Sequence, residues 1–557
     1  MGLPRYDAIV VGSGASGSFA AKELTERGLE VLVLEAGRSI TADDFGEADR
    51  TFRSNGIQLG MRIRARLGGQ KIQSRALLYR EHSRHLFVND RENPYTTPIG
   101  KPYLWIRGRQ LGGRLHTYGR VLLRWSDYDF KAASRDGHGE DWPICYEELA
   151  PFYTQVERFL QLRGCVDRVA NLPDGEFVGA ARLTAAERLF KSRTETKWPD
   201  RHPIAWRYMP PNARRVPQPL LAAMDTGRLE LRTDAIVRRV LTDPTSGLAT
   251  GIEFVDRLSK QVETVSARAI MLCASPIETV RLMLNSDAPK HPNGLGNGSG
   301  MLGRYFMDQV PSLIAGSIPE VMGSELDDTV PPDPFYGTSG GVYVPRFSNL
   351  DRTTNPEFAR GFAFQGTIGR IPVAKGTPAR FALMGFGEML PHADNRVSLS
   401  RSKRDAWGMP VPRIRCSMHA NELALLREQM RAINEMVRNA GFSIDYSGSQ
   451  LGLEEFGKGA FPEADWLSRL MFRRSFKSSM SMGAAIHESG GARMGVDPAR
   501  SVLNSDNQCW DAPNVYVSDA SCFPSGGCAG TALTIMALAI RSSQHLANNV
   551  GTERATG

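Results

Sequence analysis

The sequence has few of the features that mark secreted, metal-binding or membrane-spanning proteins. Its 557 residues include only 7 cysteines, an odd number without CxxC spacing, so neither a disulfide framework nor a metal site is predicted. The apolar run LTIMALAI near Leu533 is too short to span a bilayer. Met1 leads directly into a strand-like apolar run without a signal-peptide pattern, so we expect a cytoplasmic protein.

The charge balance does not by itself indicate a nucleic-acid partner. The formal net charge is +8, and 41% hydrophobic residues are typical of a globular protein with two or three domains. No stacking aromatics or nucleic-acid motif accompany the basic residues, so we expect no nucleic acid and favour a solvated face, a subunit contact or an anionic-ligand patch. The basic segment, opposed only by Glu81, comprises Arg53, Arg62, Arg64, Arg66, Lys71, Arg75, Arg80 and Arg84.

The stretch from Tyr6 to Gly37 combines the parts of a dinucleotide-binding βαβ unit. A β-branched run is typical of a buried strand, a helical pattern follows and ends at Gly28, and a second strand precedes Glu35. Glycines between the first strand and the helix have GxGxxG spacing. Because the motif has its strand, helix and acidic residue in place, it predicts dinucleotide binding, without separating FAD from NAD.

Each glycine of this motif has a mechanical role. Gly12 permits a tight turn, Gly14 lets the backbone approach a pyrophosphate, and Gly17 lets the helix pack closely on the strand. The helix N-terminus offers free N–H groups to negative charge, and an acidic residue after the second strand accepts hydrogen bonds from a ribose. The predicted contacts are Gly12, Gly14, Ala15, Ser16, Gly17, Glu35 and Ala36.

Later stretches, together with the first, resemble the glucose-methanol-choline (GMC) oxidoreductases, a flavoprotein family. RGRQLGGRLHTYGR (107–120) is similar to its second flavin-contacting loop, and GEDWPICYEELAPFYTQVE (139–157) to the helical segment that follows. ARAIMLCASPIETVRLMLNS (267–286) resembles the strand and turn that return to the adenosine side. The preceding LRTDAIVRRV includes Val237, near which the family uses backbone against adenine.

The C-terminal stretch carries the most specific resemblance. HESGGARMG, SVLNSDNQCWDAPNVYVSDASCFPSGG and TALTIMALAIRSS follow in family order, and bacterial members that oxidise glycosides and polyols are the most similar type. The resemblance implies FAD as the cofactor. It adds the predicted contacts Gly112, Gly113, Arg114, Thr117, Tyr118, Gly119, Val237, Ala274, Asp519, Ala520, Gly530, Thr531 and Ala532.

The resemblance also implies an α/β fold with two domains. A discontinuous Rossmann-like FAD-binding domain is expected from residues 1–160, 225–315 and 481–557, and an α+β substrate domain on an antiparallel sheet from 161–224 and 316–480. Strand-like alternation from Gly385 to Glu422, followed by a helical pattern to Ala440, supports that sheet. The resemblance weakens between about Ser317 and Phe381, so we expect that part to shape substrate choice.

Alcohol oxidation by a flavin needs a base beside the hydroxyl while the C–H points at the flavin N5. Histidine suits this role, because its pKa of about 6.5 lets it accept a proton near neutrality. An arbitrary histidine is more often a buried hydrogen-bonding group, but the resemblance places His487, within HESGGARMG, at the catalytic position. Arg493, in the same stretch, is interpreted as a structural donor to nearby backbone and not as a catalytic residue.

The chain departs from the family pattern at its second catalytic position. Where the family usually has asparagine or histidine followed by proline and threonine, this chain has GCAGTALT, with Gly530 in place of the side chain. A helix beginning near Thr531 can still direct its N-terminal amides at the flavin N1–C2=O edge. Covalent flavin attachment is not expected, because His116 lies one position before the expected site, Thr117.

Three functions remain open at this point. The leading hypothesis is an FAD-dependent dehydrogenase or oxidase that acts on an alcohol group of a small-molecule sugar, glycoside or polyol. The alternatives are a lyase of the same fold with structural FAD, which the missing side chain at Gly530 permits, and a catalytic subunit that passes electrons to a partner. For the last, the segment from Arg53 to Arg84 could form the docking face; the oligomeric state is not predicted.

Overall fold

A computed structural model describes residues 5–48, 59–76, 79–326, 330–351, 354–457, 459–460 and 464–556. The strands, numbered in chain order, are β1 (Tyr6–Val11), β2 (Val31–Leu34), β3 (Arg163–Gly164), β4 (Gly179–Ala180), β5 (Ile204–Ala205), β6 (Leu229–Arg232), β7 (Ala235–Thr242), β8 (Ala249–Asp256), β9 (Val262–Leu272), β10 (Gln309–Met322), β11 (Val342–Val344), β12 (Phe362–Ile368), β13 (Pro378–Glu388), β14 (Arg396–Arg404), β15 (Pro410–Arg415), β16 (Ser443–Ser449), β17 (Gly452–Phe456) and β18 (Val515–Val517). The helices are α1 (Ala15–Glu26), α2 (Leu59–Leu67), α3 (Asp127–Phe130), α4 (Ala132–Asp136), α5 (Tyr146–Leu160), α6 (Ala185–Lys197), α7 (Gln218–Asp225), α8 (Pro276–Asn285), α9 (Ala420–Asn439), α10 (Trp466–Ser479) and α11 (Ala532–Thr556).

The first large sheet has parallel strands in the order β6–β2–β1–β9, with β18 also paired to β9. Every residue of β1 and β2 is buried, as expected for parallel strands covered on both faces. Helix α1 packs against α7 and α11, so the N-terminal βαβ unit rests on the C-terminal helix. The glycine-rich turn therefore lies at the carboxyl end of β1, facing the space that ligands use in such folds.

Strand β9 joins three separate parts of the chain. Its second half pairs in parallel with β1 and β18, through Ala269 with Ala8 and Ile270 with Val515. Its first half pairs antiparallel with β8, as in Val265 with Ile252. The N-terminal, central and C-terminal segments thus form one Rossmann-like domain, which confirms the predicted discontinuous α/β fold.

The second large sheet is antiparallel, in the order β17–β16–β10–β13–β12–β11–β5. Helix α9 packs across β10, β13 and β16 and buries an apolar stripe that includes Leu425, Ile433 and Met436. The prediction of an antiparallel sheet in the second domain is confirmed. Among the described residues, no helix combines the length and the apolar character needed to cross a membrane.

The domain boundaries expected from the sequence stay a prediction, and one of them falls inside a strand. Strand β10 begins at Gln309, before the expected boundary at 315/316, and the β14–β15 hairpin is a separate two-stranded sheet that packs against α8 of the Rossmann-like domain. Alternation predicts strands but not the sheet that they join, because a hairpin and a larger sheet impose the same period on the side chains. The expected helices at 421–440 and near Thr531 are α9 and α11, each within one residue at its start.

The basic segment does not form one continuous face in the part that the structure describes. Arg62 is half-buried and donates from Nη1 to the Ser475 hydroxyl of α10 at 3.1 Å. Arg64 and Arg84 are exposed and lie 3.4 and 3.2 Å from the Glu81 carboxylate. Arg53 lies outside the described residues. The segment is therefore partly a packing surface against α10.

The contact between α1 and β1 gives a first prediction. A Cβ built on Gly17 would lie 1.9 Å from the Gly12 carbonyl oxygen, so Gly17→Ala must push the helix off the turn. Overpacking of this kind typically costs about 1–3 kcal/mol. We expect a lower free energy of unfolding in denaturant titrations, whereas Gly60→Ala, whose Cβ would meet only Arg64 Nη1 at 3.6 Å, should be at least as stable as the parent because alanine favours a helix. Equal midpoints for Gly17→Ala and the parent would contradict the packing role.

Candidate active site

His487 is held by two adjacent residues at the beginning of β10. Its backbone N–H donates to Asp308 Oδ1 at 3.1 Å, and its ring Nδ1 lies 2.5 Å from Gln309 Oε1. Since Gln309 opens a strand of the second sheet, the domain built on that sheet fixes the imidazole that the Rossmann-like domain carries. The two domains therefore meet at this side chain.

The hydrogen bonds of Gln309 determine which ring nitrogen of His487 is protonated. Gln309 Nε2 donates to the carbonyls of Gly527 at 2.5 Å and Ala529 at 3.1 Å. The amide oxygen must then face the imidazole, and it can only accept a hydrogen bond. Nδ1 of His487 is therefore the donor, and Nε2 carries the free lone pair of a base.

The Nε2 side of the imidazole faces Gly530. A Cβ built on Gly530 would lie 3.6 Å from His487 Nε2, and no side chain occupies that position. Trp125 Nε1 donates to the Gly530 carbonyl at 3.3 Å, and the Phe386 ring centroid lies 5.2 Å from the imidazole centroid. The predicted departure from the family pattern thus places open space, bounded by aromatic side chains, beside the free lone pair.

Burial sets the protonation state of His487. Desolvation, helped by the Arg114 guanidinium, lowers the pKa of His487 to about 4. The group is therefore neutral over the whole neutral pH range, with Nε2 able to accept a proton. A base in this state needs no prior deprotonation before it acts.

A buried polar network supports the His487 loop. Tyr103 donates from its hydroxyl to Asp308 Oδ2 at 3.0 Å, and burial together with the nearby Glu488 carboxylate raises the pKa of Asp308 to about 7. Glu488 accepts from Arg114 Nη1 at 2.5 Å, and Arg114 Nη2 donates to the Ser275 hydroxyl at 3.0 Å. Arg114, predicted as a flavin contact, thereby connects the glycine-pair loop to the residue after His487.

Ser13 connects the first two predicted cofactor segments. Its hydroxyl donates to Glu35 Oε2 at 2.6 Å and accepts the backbone N–H of Gly112 at 2.9 Å. Gly37 N–H donates to Glu35 Oε1 at 2.8 Å, and burial raises the pKa of Glu35. The second strand, the GxGxxG turn and the glycine-pair loop therefore converge on one carboxylate.

The residues of this region fit an adenine dinucleotide. A Cβ built on Gly14 or Gly113 would meet no atom within 4 Å, so both backbones border open space. No side chain caps the N-terminus of α1, which leaves its first N–H groups for an anion such as a pyrophosphate. Glu35 Oε2 accepts two hydrogen bonds from Ser13 and Oε1 accepts one from Gly37, so a carboxylate acceptor position remains for a ribose hydroxyl.

Ala274, Asp519 and Val237, three other predicted contacts, have partners near the ends of β2 and β9. Ala274 directly follows β9 and donates from its N–H to Thr279 Oγ1 at 3.2 Å, and Thr279 donates to the buried Asp519 carboxylate at 2.5 Å. Val237 is buried in β7, which is anchored where Ala235 N–H donates to the Glu35 carbonyl at 2.9 Å. The remaining predicted contacts are sequence neighbours of residues already described: Ala15 and Ser16 at the start of α1, Ala36 after Glu35, Thr117, Tyr118 and Gly119 in the glycine-pair loop, Ala520 after Asp519, and Thr531 and Ala532 at the start of α11.

His116 and Arg493, for which the sequence predicts neither flavin attachment nor catalysis, have structural partners. His116 Nε2 lies 2.9 Å from the Leu111 carbonyl, and burial lowers the pKa of His116 to about 4. Arg493 donates from Nε to the Arg500 carbonyl at 2.9 Å and its guanidinium lies 3.9 Å from the Tyr305 ring centroid. Both contacts hold local chain segments together.

Sequence reasoning missed the residues that orient His487. Asp308 and Gln309 are far from His487 in sequence and belong to no motif that we identified. The sequence does show two adjacent polar residues between Met307 and Val310, at the beginning of a segment in which apolar residues alternate as in a strand. Such a pair predicts a buried polar contact without naming its partner.

Comparisons with known proteins agree with this geometry. Residues 391–539 match the family model described as GMC oxidoreductase, and residues 10–70 match the NAD(P)-binding Rossmann-like domain. The chain is 25% identical to 2-methyl-1,2-propanediol dehydrogenase of Mycolicibacterium austroafricanum, over 97% of this chain and 95% of that protein. It is 26% identical to 6'''-hydroxyparomomycin C oxidase of Streptomyces lividus, over 99% and 93% of the two chains.

The match to the family model and the similarity to these relatives along nearly the whole chain support membership of the GMC oxidoreductase family. The similarity supports an FAD-dependent oxidoreductase of CH–OH groups, as the sequence predicted. The fold of the chain is also that of formate oxidase from Aspergillus oryzae, with a TM-score of 0.64 at 13% identity over 98% of each chain.

The open space at Gly14 gives a prediction for cofactor binding. Gly14→Ala adds a methyl group that meets no protein atom, so folding should be unaffected, but the methyl points into the space assigned to the pyrophosphate. We expect FAD affinity to fall roughly tenfold or more, a loss of about 1.4 kcal/mol or more. Fluorescence titration of the apoprotein with FAD measures it, with unfolding midpoints as the check on folding. Parental FAD affinity in Gly14→Ala would contradict the assignment.

Proposed function

We propose that this enzyme oxidises an alcohol group of a sugar, glycoside or polyol, with His487 as the base. The observation that carries the proposal is the unprotonated Nε2, oriented by Gln309 toward the space beside Gly530. The similarity to proteins named as a propanediol dehydrogenase and an aminoglycoside oxidase over nearly the whole chain supports the substrate class.

FAD, when bound, supplies the hydride acceptor of this reaction. His487 Nε2 takes the proton from the substrate hydroxyl, and the new imidazolium keeps its Nδ1–H on Gln309 Oε1. Gln309 cannot rotate to follow the proton, because its own N–H groups are held by the carbonyls of Gly527 and Ala529. The imidazole therefore stays oriented through the transfer, which preserves the entropy advantage of a fixed base.

The N-terminus of α11 adds electrostatic stabilisation. The helix begins at Ala532, two residues after Gly530, which faces His487. Its free amides and macrodipole favour negative charge at that end, whichever side chain precedes them. Loss of the family's second catalytic side chain therefore removes one hydrogen bond to substrate but leaves this contribution.

A reduction assay separates the proposed reaction from the alternatives. The holoenzyme is mixed without oxygen with a panel of polyols, glycosides, aminoglycosides and simple alcohols, and flavin absorbance is followed. Bleaching by a polyol or glycoside supports the proposal. Conversion of a substrate without bleaching supports a lyase. Bleaching without subsequent oxygen consumption in air supports a dedicated electron-accepting partner.

Removal of the base gives a direct prediction. His487→Ala should slow flavin reduction by the best substrate about 10²–10⁴-fold, the range of general-base contributions. His202→Ala is the matched control, because His202 is also a histidine near a carboxylate, 3.4 Å from Glu195 Oε1, but is 45% exposed. It should reduce its flavin at the parental rate. Stopped-flow absorbance measures both, and an unimpaired His487→Ala enzyme would refute the assignment.

The pH dependence of kcat/KM should depend on the contact between His487 and Gln309. Because only neutral His487 accepts a proton, kcat/KM should fall as pH drops through its lowered pKa of about 4. Gln309→Glu places a carboxylate next to Nδ1, which favours the imidazolium and should move this acid limb upward by at least about one pH unit. Gln309→Leu, which adds no charge, should lower kcat without that upward shift. If kcat/KM fell at the same acidic pH in the parent and in Gln309→Glu, the contact would be contradicted.

A further inference from the structure

A cluster of two histidines and one glutamate lies outside the active site. His392 is in the loop between β13 and β14, His419 is the N-cap of α9, and Glu422 is in the first turn of that helix. One ligand atom from each lies within 4.8 Å of the other two. The three residues come from two chain segments that the helix N-terminus brings together.

The ring nitrogens that face the carboxylate have no hydrogen-bond partner. His392 Nε2 lies 3.6 Å and His419 Nδ1 3.8 Å from Glu422 Oε2, both beyond hydrogen-bond distance. Both nitrogen atoms are shielded from solvent and unpaired. Buried polar atoms in native proteins are normally satisfied, so two such nitrogens aimed at one oxygen point to a missing ligand.

Among the described residues, no lysine or arginine forms an ion pair with the Glu422 carboxylate. Its side chain is fully buried, and among the described residues its ion-pair contacts are the two histidines alone. Leu390 N–H donates to Oε1 at 3.1 Å and His419 N–H to Oε2 at 2.7 Å, which fixes the carboxylate without neutralising it. Asn421 Nδ2 also donates to Oε1 at 3.4 Å, so the buried carboxylate is hydrogen-bonded but has no permanent charge partner, which a divalent cation would supply.

We propose that His392, His419 and Glu422 form a zinc site. Two imidazole nitrogens and one carboxylate oxygen are a ligand set that Zn²⁺ prefers, whereas Ca²⁺ and Mg²⁺ prefer oxygen ligands. Zinc–ligand bonds of about 2.0–2.2 Å in a tetrahedron place ligands roughly 3.4 Å apart. The separations of 3.6 and 3.8 Å from Glu422 are close to this value, and the two imidazole ring centroids already lie 3.8 Å apart.

The surroundings supply an outer shell and an opening. His419 Nε2, on the far side of the ring, lies 3.6 Å from Asp394 Oδ1, in the place where metal-binding histidines usually meet a carboxylate. Arg415 Nη2 holds that aspartate at 2.8 Å. The histidine side chains are 27% and 35% exposed, so the cluster lies close to the solvent that would supply Zn²⁺ and a water ligand.

Zinc at this position would link α9 to the loop after β13. Glu388, the last residue of β13, pairs with Gln309 of β10, so the site reinforces the sheet end that holds His487. Its expected effect is on stability, because none of the three ligands contacts His487 or the predicted cofactor residues.

The test uses the FAD-loaded full chain without a polyhistidine tag, stripped with EDTA. Titration with Zn²⁺ against a chromophoric chelator should show one site per chain of micromolar or tighter affinity, and Zn²⁺ should raise Tm. His392→Ala and His419→Ala should each weaken binding at least tenfold and abolish the Tm shift. His202→Ala, which alters a histidine–glutamate pair without a second histidine, should keep both.

Two results would overturn the zinc site. One is the absence of saturable binding to the parent, which would make the cluster a histidine–carboxylate ion pair. The other is equal binding by the parent and both variants. If a variant loses its flavin or its fold, the visible absorption spectrum of the Co²⁺-loaded parent is measured instead. Intense bands indicate tetrahedral coordination and support the site. The weak bands of solvated Co²⁺ would refute the site. Flavin reduction is not a readout, so this outcome is independent of the proposed function.

Discussion

The hydrogen bond between His487 Nδ1 and Gln309 Oε1 is the contact on which the functional interpretation depends. It assigns the proton to one ring nitrogen and leaves the other free, which neither burial nor the lowered pKa could do alone. The contact exists because Gln309 has its two donors occupied by the loop before α11. Gln309, the first residue of a strand in the other domain, thus connects the loop that carries His487 with the loop before α11.

The two domains contribute different residues to the candidate active site. The Rossmann-like domain supplies the open backbone at Gly14 and Gly113 and the Glu35 carboxylate, and it carries the loop with His487. The antiparallel sheet supplies Asp308 and Gln309, which orient that loop. A change in the position of β10 would therefore alter the direction of the base without touching the cofactor residues.

The local parts of this arrangement could be predicted from the sequence, and the long-range parts could not. The GxGxxG turn, its flanking strands and Glu35 follow from short spacings, and the structure places them together through Ser13. The partners of His487 depend on a pairing between segments 178 positions apart, and no local period encodes such a pairing. The β14–β15 hairpin shows the same limit, because its alternation was visible while its packing against α8 was not. The histidines at 392 and 419 likewise became a cluster only through the position of α9.

A crystal structure of the FAD-loaded enzyme with a bound product or substrate analogue tests the central claim most directly. The account predicts the ligand's reacting oxygen within about 2.6–3.2 Å of His487 Nε2, hydrogen-bond reach for a general base, with Nδ1 still on Gln309 Oε1. A reacting oxygen bound to another side chain, or an imidazole whose Nε2 points away from the flavin and the Gly530 opening, would contradict it.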